Sequence, residues 1–513
     1  MGEPRRTWQW WTFVVVLVVV VGLGVVARFV TRSPLWMDEA LSVNIAGLPA
    51  GQIPDALRHD GHPPLYYLLL HGWIRLFGSA DHVTRALSGL WSVALLVLMY
   101  VAGRRLGGRR VALTSVVLLA VSPFAIRYAT EARMYAMVST LALAAWLFAE
   151  ASWKRRRPAP LIGLAVCTSL LLWTHYWVIW LVLSACVIVA VIAFSSWRAG
   201  GTETKAAALG VMAALTVGAV SFLPWVPTLV FQARHTATPW ARASRPAEVI
   251  STSASDFGGG VTGEAELLGW LFLVLVAIGA WAYSQRNWEL SVDLRRPNSE
   301  QHLVLAALVG GTVIIGVGAS LVFGTAYSSR YAAVVFPFMV LLAGATCAHL
   351  QPRALVVTVL SVMTALGGVG IVRNVTVDRS DARRNAEAIA RVASPADIIV
   401  YCPDQTAPAT AHELGNRWEQ VTFPTFASPQ FVDWVDYLDR STSVTPQRFT
   451  RDLLERAEGR SIFLVYSVAV HSHREICPAV AEELGRARPA EVIATASQAF
   501  EPSGVVRFAP AGQ

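Results

Sequence analysis

Long apolar runs constrain this chain more than any other feature. A helix crosses the hydrocarbon core of a bilayer with about 20 apolar residues. Runs of that kind lie at 8–30, 84–103, 111–128, 133–151, 159–175, 177–195, 206–228, 265–284, 302–323, 331–349 and 353–372. A backbone with no water to bond must satisfy itself, so each run is expected to be a helix. The reading is an α-helical polytopic membrane protein of about 11 transmembrane helices. Charged residues make up 15% of the 513, against about a quarter in soluble proteins.

The breaks between runs alternate in charge. Arg5-Arg6, Arg104-Arg105 with Arg109-Arg110, Lys154 to Arg157, Arg198 with Lys205, Arg286, Arg295-Arg296 and Arg353 form one basic set. The positive-inside rule places these in the cytoplasm, so the net charge of +8 reads as topology. No basic-aromatic platform or zinc-finger spacing argues for nucleic acid as a partner. The N-terminus is then cytoplasmic. The opposite breaks (31–83, 128–133, 175–177, 229–264, 324–330 and the tail) face out of a multi-pass cell membrane protein. The apolar stretch Trp8–Val30 is too long for a signal peptide and lacks a cleavage site, so it is expected to remain as the first span. Leu65 to Phe77 is too short to cross, carries His71 and Arg75, and follows Pro63-Pro64. It is expected to be an interfacial helix.

Composition changes near residue 373. Residues 1–372 form the membrane domain, with the outer loop 31–83. Residues 373–513 alternate β-branched runs (Ile398–Tyr401, Ile462–Tyr466) with helical patterns (Arg383–Val392, Pro478–Arg486). This predicts a small C-terminal soluble α/β domain on the outer side. Cys402 and Cys477 lie in it, where a disulfide is allowed. Cys167, Cys186 and Cys347 fall in apolar runs and read as small core residues.

Ionisable residues are costly at membrane depth, and here they collect at the outer breaks. Asp38 and Glu39 follow the first span, and His59, Asp60 and His62 come later in the same loop. Glu131, Arg133 and Tyr135 mark the next outer turn, then His175 and Tyr176, then Arg330 and Tyr331.

These stretches resemble a known family. Leu35-Trp36-Met37-Asp38-Glu39-Ala40-Leu41-Ser42, then His62-Pro63-Pro64-Leu65-Tyr66-Tyr67-Leu68, are similar to the GT-C glycosyltransferases, within them the family 39 and protein O-mannosyltransferase-like group. Ser122-Pro123-Phe124, Glu131-Ala132-Arg133-Met134-Tyr135-Ala136 and Thr174-His175-Tyr176 match in order and spacing. The likeness is close over residues 8–200, looser over the remaining spans, and absent from the C-terminal domain. It implies a polyprenyl-phosphate sugar donor, commonly of mannose or arabinose, and inversion at the anomeric carbon. It implies Asp38 as catalytic base with Glu39 beside it. The acceptor is then an extracytoplasmic glycan, lipid or protein hydroxyl, in keeping with cell-wall synthesis. His59, Asp60, His62, Glu131, Arg133, Tyr135, His175, Tyr176, Arg330 and Tyr331 are the expected substrate-binding residues.

The chemistry suits these residue types. A carboxylate accepts the proton of the attacking hydroxyl. The phosphate leaving group needs positive charge, which Arg133 and Arg330 can supply bidentately, or a metal. Structural alternatives stand beside each role. Asp38 and Glu39 also suit capping of the helix that follows. Glu131 and Arg133 also suit a structural ion pair. His59, Asp60 and His62 also suit a divalent cation, although Pro63 restricts His62 and pocket lining or loop stabilisation is the simpler reading. His175 also suits an interfacial aromatic belt. A multi-spanning lipid or solute transporter or flippase is the alternative function, disfavoured because no internal repeat is visible. A non-catalytic assembly or sensor protein is the third.

Overall fold

The computed structural model describes residues 3–155, 157–236, 245–286, 289–297 and 299–510. Arg156 of the basic set and residues 237–244 of the outer break 229–264 lie outside these. The chain divides into two compact units. One comprises residues 1–31, 85–225 and 243–375, and the other residues 32–84, 226–242 and 376–513.

The first unit is helical. Among the described residues, six helices are long and apolar enough to cross a membrane: Asp81–Ala120, Tyr135–Lys154, Val178–Arg198, Thr202–His235, Glu300–Phe323 and Arg353–Thr376. Helices Pro246–Gly258 and Gly263–Gly279 pass the same test only as a pair, bent by 109°. Val14–Ala27, Pro158–Leu172 and Phe336–His349 are apolar but shorter.

Two departures from the expected spans have local causes. The runs 84–103 and 111–128 share one helix, Asp81–Ala120, broken inside at Gly107 and Gly108. That helix stops at Ala120 because Pro123 has no N–H to continue the ladder. Ser122 caps a new short helix, Pro123–Ala129, its Oγ accepting from Ala125 N–H at 3.2 Å. At this break the carbonyls of Leu119 and Ala120 accept from the buried Arg28 guanidinium, at 2.7 and 3.3 Å. Arg28 also donates to Ser92 Oγ at 2.9 Å, which ties the first helix to its neighbour. The expected span 265–284 is likewise shortened, since an antiparallel hairpin, Trp281–Arg286 with Glu289–Pro297, follows Gly263–Gly279.

The bend at Gly259 is left-handed, with φ +101°, and such a backbone favours glycine. A Cβ at Gly258 or Gly269 would strike the backbone of Ala265 or Ala254, so these glycines let the paired helices touch.

The second unit holds a five-stranded sheet. Its order is Glu419–Thr422, Ile398–Cys402, Ile462–Tyr466, Gly504–Phe508, Ala490–Ala494. The first three strands are parallel and the last two pairings antiparallel. Both faces are covered, which is why the central strands read as unbroken apolar runs. Val400, Leu464 and Val506 face Phe449, Leu453 and Val480 on one side. Ile399, Tyr401 and Val465 face Ile389, Ala407 and Leu414 on the other. Cys402 and Cys477 form a disulfide that joins a strand end to helix Ile476–Ala487.

The first outer loop belongs to this unit rather than standing apart from it. Its helix Met37–Gly47 packs on helix Ala407–Leu414, and Leu41 clusters with Val432, Trp434 and Tyr437. Helix Leu65–Phe77 forms directly after Pro64, burying Tyr66, Tyr67 and Leu70 while Leu76 and Phe77 stay exposed.

Candidate active site

The expected site residues are divided between the two units. In the unit holding the sheet, Asp38 and Glu39 occupy the first turn of helix Met37–Gly47, where carboxylates complement the helix dipole. Asp38 is half-buried, and its main-chain carbonyl accepts from Ser42 Oγ at 2.8 Å. Glu39 is fully buried. Its carboxylate lies 3.8 Å from the Arg379 guanidinium and accepts from Trp36 N–H at 3.5 Å. The start of the helix is also met by Glu501, whose Oε2 accepts the Met37 N–H at 2.9 Å.

The histidines of the same loop turn to different acids. His59 Nδ1 lies 2.9 Å from Asp433 Oδ1, and His62 Nδ1 lies 3.0 Å from Asp60 Oδ2. Tyr67 Oη also donates to Asp60 Oδ2 at 3.0 Å. No group of three or more His, Cys, Asp or Glu arranged to hold a metal ion occurs among the described residues.

The helical unit brings Glu131, Arg133, Tyr135, His175, Arg330 and Tyr331 into a second cluster. Glu131 is fully buried and accepts from Arg127 Nε, four residues earlier, at 3.2 Å. Arg127 Nη1 lies 3.9 Å from Asp256 Oδ1, and Asp256 Oδ2 accepts from the Ser329 hydroxyl. Arg330, next in sequence, is thereby held to the bent helix pair through its neighbour. A second tie joins Ser253 Oγ to Tyr327 Oη at 2.9 Å.

Aromatic rings frame these charges in a continuous series. Phe336, Phe124, Tyr128 and Tyr135 follow one another at 4.6, 4.7 and 4.8 Å between centroids. His175 lies 5.7 Å from Tyr135 and 5.5 Å from Tyr331, and Tyr331 stacks on Trp177 at 5.1 Å. The Arg133 guanidinium sits 6.0 Å over the Tyr135 ring, at the edge of cation–π range. His175 Nδ1 accepts from Trp177 N–H at 3.1 Å, so a neutral ring carries its proton on Nε2. Tyr176 turns elsewhere, its hydroxyl accepting from Trp225 Nε1 at 2.9 Å.

Four participants were not among the expected residues: Arg127, Asp256, Arg379 and Glu501. Arg127 carried a signal, an opposite charge four residues ahead of Glu131 in the same outer break. Asp256, Arg379 and Glu501 carried none, because their partners are distant in sequence.

Residues 61–225 match the model of the dolichyl-phosphate-mannose-protein mannosyltransferase family. No curated protein matches the chain by sequence. The fold is similar to that of ArnT from Cupriavidus metallidurans in the apo state, with a TM-score of 0.61 at 13% identity, covering 97% of this chain and 98% of that one. ArnT bound to undecaprenyl phosphate gives 0.60 at 15% identity, covering 98% of each. The archaeal oligosaccharyltransferase AglB from Archaeoglobus fulgidus, in complex with an inhibitory peptide and a dolichol-phosphate, gives 0.51 at 9% identity, covering 93% of this chain and 72% of that one. By sequence over residues 61–225 and by fold over nearly its whole length, this multi-pass chain resembles the GT-C glycosyltransferases.

Proposed function

We propose that the chain is an inverting glycosyltransferase that moves a sugar, mannose or arabinose, from a polyprenyl-phosphate donor to an extracytoplasmic hydroxyl. The observation that carries this reading is the buried set of ionisable and aromatic side chains in the helical unit. Such groups are expensive in a membrane protein and persist where they serve a substrate. The likeness to ArnT, one of whose structures holds undecaprenyl phosphate, supports a phosphate-bearing lipid as that substrate.

In the reaction, the acceptor oxygen attacks the anomeric carbon as the bond from that carbon to the phosphate oxygen breaks. The proton of the acceptor hydroxyl passes to the Asp38 carboxylate. The electron pair of the broken bond leaves on the phosphate, whose charge Arg133 and Arg330 neutralise. Tyr135, His175 and Tyr331 supply ring faces and donors for the sugar.

The test is transfer from labelled polyprenyl-phosphate mannose and arabinose in membranes, with wild type and Asp38→Asn at equal expression. Loss of a general base costs about 10²–10⁴-fold in rate, so Asp38→Asn should transfer almost nothing. Full activity in Asp38→Asn would rule out Asp38 as the base. A wild type that uses neither donor would rule out both sugars.

One observation favours a second reading. A helix pair broken at 109° is a feature of transporters, whose substrate sites sit at interrupted helices. That reading predicts movement of labelled lipid across vesicles without any sugar transfer.

A further inference from the structure

The segment 379–381 and the loop 497–503 form a clasp around the start of the acidic helix. Glu501 N–H donates to Arg379 O at 2.9 Å, and Asp381 N–H to Glu501 O at 3.4 Å. The Asp381 carboxylate gathers the loop by accepting from Ser497 N–H at 2.9 Å and Ser503 N–H at 3.1 Å. Arg379 N–H donates to Ser33 Oγ at 2.9 Å, just ahead of the helix. Phe500 meets the buried Trp36 edge to face at 5.6 Å. The clasp thus places two of its charged side chains on the residues flanking Asp38. Glu501 takes the Met37 N–H, and Arg379 faces the Glu39 carboxylate.

This is more than generic capping. The first-turn N–H groups of a helix need acceptors, but a solvated turn finds them in water or its own side chains. Here a carboxylate from the C-terminal domain supplies one, and a guanidinium from the same domain faces the first-turn acid. Fixing the residues before and after Asp38 fixes its backbone, and with it the point from which its carboxylate projects.

We infer that Glu501 and Arg379 are positioning residues for Asp38, so that the C-terminal domain is a working part of the transferase. This rests on the reading of Asp38 as the base. Misplacing a reacting group by about 1 Å can cost on the order of 100-fold in rate while binding is kept.

The experiment uses the full chain in membranes, with polyprenyl-phosphate mannose and arabinose as probes, and hydrogen exchange of the segment 36–42 as a readout independent of activity. Glu501→Ala should lower kcat about 10- to 100-fold. Its donor KM should stay within about threefold, because ground-state binding is untouched. Exchange across 37–42 should rise. Glu501→Gln, whose amide oxygen still accepts the Met37 N–H, should restore both values. Arg379→Gln, which acts through Glu39, should lower kcat in the same way.

Wild-type kcat and exchange in both Glu501→Ala and Arg379→Gln would overturn the inference. So would an equal loss in Glu501→Ala and Glu501→Gln accompanied by loss of the Cys402–Cys477 disulfide, which would make the effect one of folding. If wild type moves no sugar from either donor, the mannose and arabinose assignment falls and takes the kcat test with it. The exchange result would still decide whether Glu501 holds the helix start.

Discussion

Each unit buries a glutamate against an arginine, but they assemble the pair in opposite ways. In the helical unit Glu131 meets Arg127 from four residues earlier in the chain, and aromatic rings close around both. In the sheet-bearing unit Glu39 meets Arg379 from the far end of the chain. The first pair needs only the local fold of residues 123–131, where the short helix ends at Ala129 and the chain bends. The second exists only when two distant segments have folded together. A charge buried near its partner in sequence is secured by local geometry, whereas one buried far from it is secured by tertiary structure.

The disulfide offers the largest test of this contrast. Cys402 and Cys477 are 75 residues apart in the sheet-bearing unit, while Cys167, Cys186 and Cys347 are free in the other. Closing a loop of that length is worth about 4.5 kcal/mol on the chain-entropy account. Cys402→Ser, or reductant on wild type, should lower the unfolding temperature of the sheet-bearing unit and leave the helical unit unmoved. A matching shift in both would break the contrast.

Next in size are the two ion pairs. Removing one partner of a buried pair costs about 3–5 kcal/mol, because a charge is left uncompensated. Arg379→Met and Arg127→Met should each destabilise by that order in thermal unfolding. The doubles Arg379→Met/Glu39→Gln and Arg127→Met/Glu131→Gln should recover most of it. The contrast is sharpened if only the Arg379 variants release the helix Met37–Gly47 to proteolysis.

A third test concerns protons. Asp404 is buried in the sheet-bearing unit, accepting from Tyr437 Oη at 2.5 Å, and burial pushes its pKa up to about 6. The folded state therefore holds a proton that the unfolded chain releases near pH 4. That contribution is full below pH 4 and is lost as the pH rises through 6. A rise of this size is worth about 3 kcal/mol. Asp404→Asn, which keeps an acceptor for Tyr437, should be more stable than wild type at pH 7.5 by up to about 3 kcal/mol, and no more stable at pH 4. His473 has the opposite sign, since burial lowers its pKa to about 4. Its contribution is present above pH 6.5 and lost as the pH falls towards 4. Wild type should therefore show a shallow acid limb, and Asp404→Asn a steep one, in urea unfolding across this range.

The smallest effect is expected at Asp256. It is partly exposed and 3.9 Å from Arg127, so neutralising it in Asp256→Asn should cost less than about 1 kcal/mol. A much larger loss would make the bent helix pair, rather than Arg127, the anchor of Glu131.

What the sequence disclosed follows the same division. Apolar periodicity found the helices, the short helix Leu65–Phe77 and the strands Ile398–Cys402 and Ile462–Tyr466, because burial on a fixed face leaves a pattern in one dimension. Rarity of charge within apolar surroundings found Glu131, Arg133, His175 and Arg330. The clasp of Arg379 and Glu501 left no pattern, since it arises from contacts between segments with no shared period. The stop at Ala120 was legible in Ser122-Pro123, but the apolar run carried the expected span past it. The hairpin after Gly279 was hidden because its basic residues read as a cytoplasmic loop.

The contact between Met37 and Glu501 spans 464 positions of sequence. A ribosome working at about 5–20 residues per second needs roughly 25–90 s to travel that distance. Throughout that interval Met37 has been made and its partner has not. Every nascent or truncated chain ending before residue 501 therefore carries Asp38 on a helix whose start lacks its last support. Synthesis itself thus sets the moment at which the acidic helix is completed, and a membrane filling with half-made copies holds none with that helix fully braced.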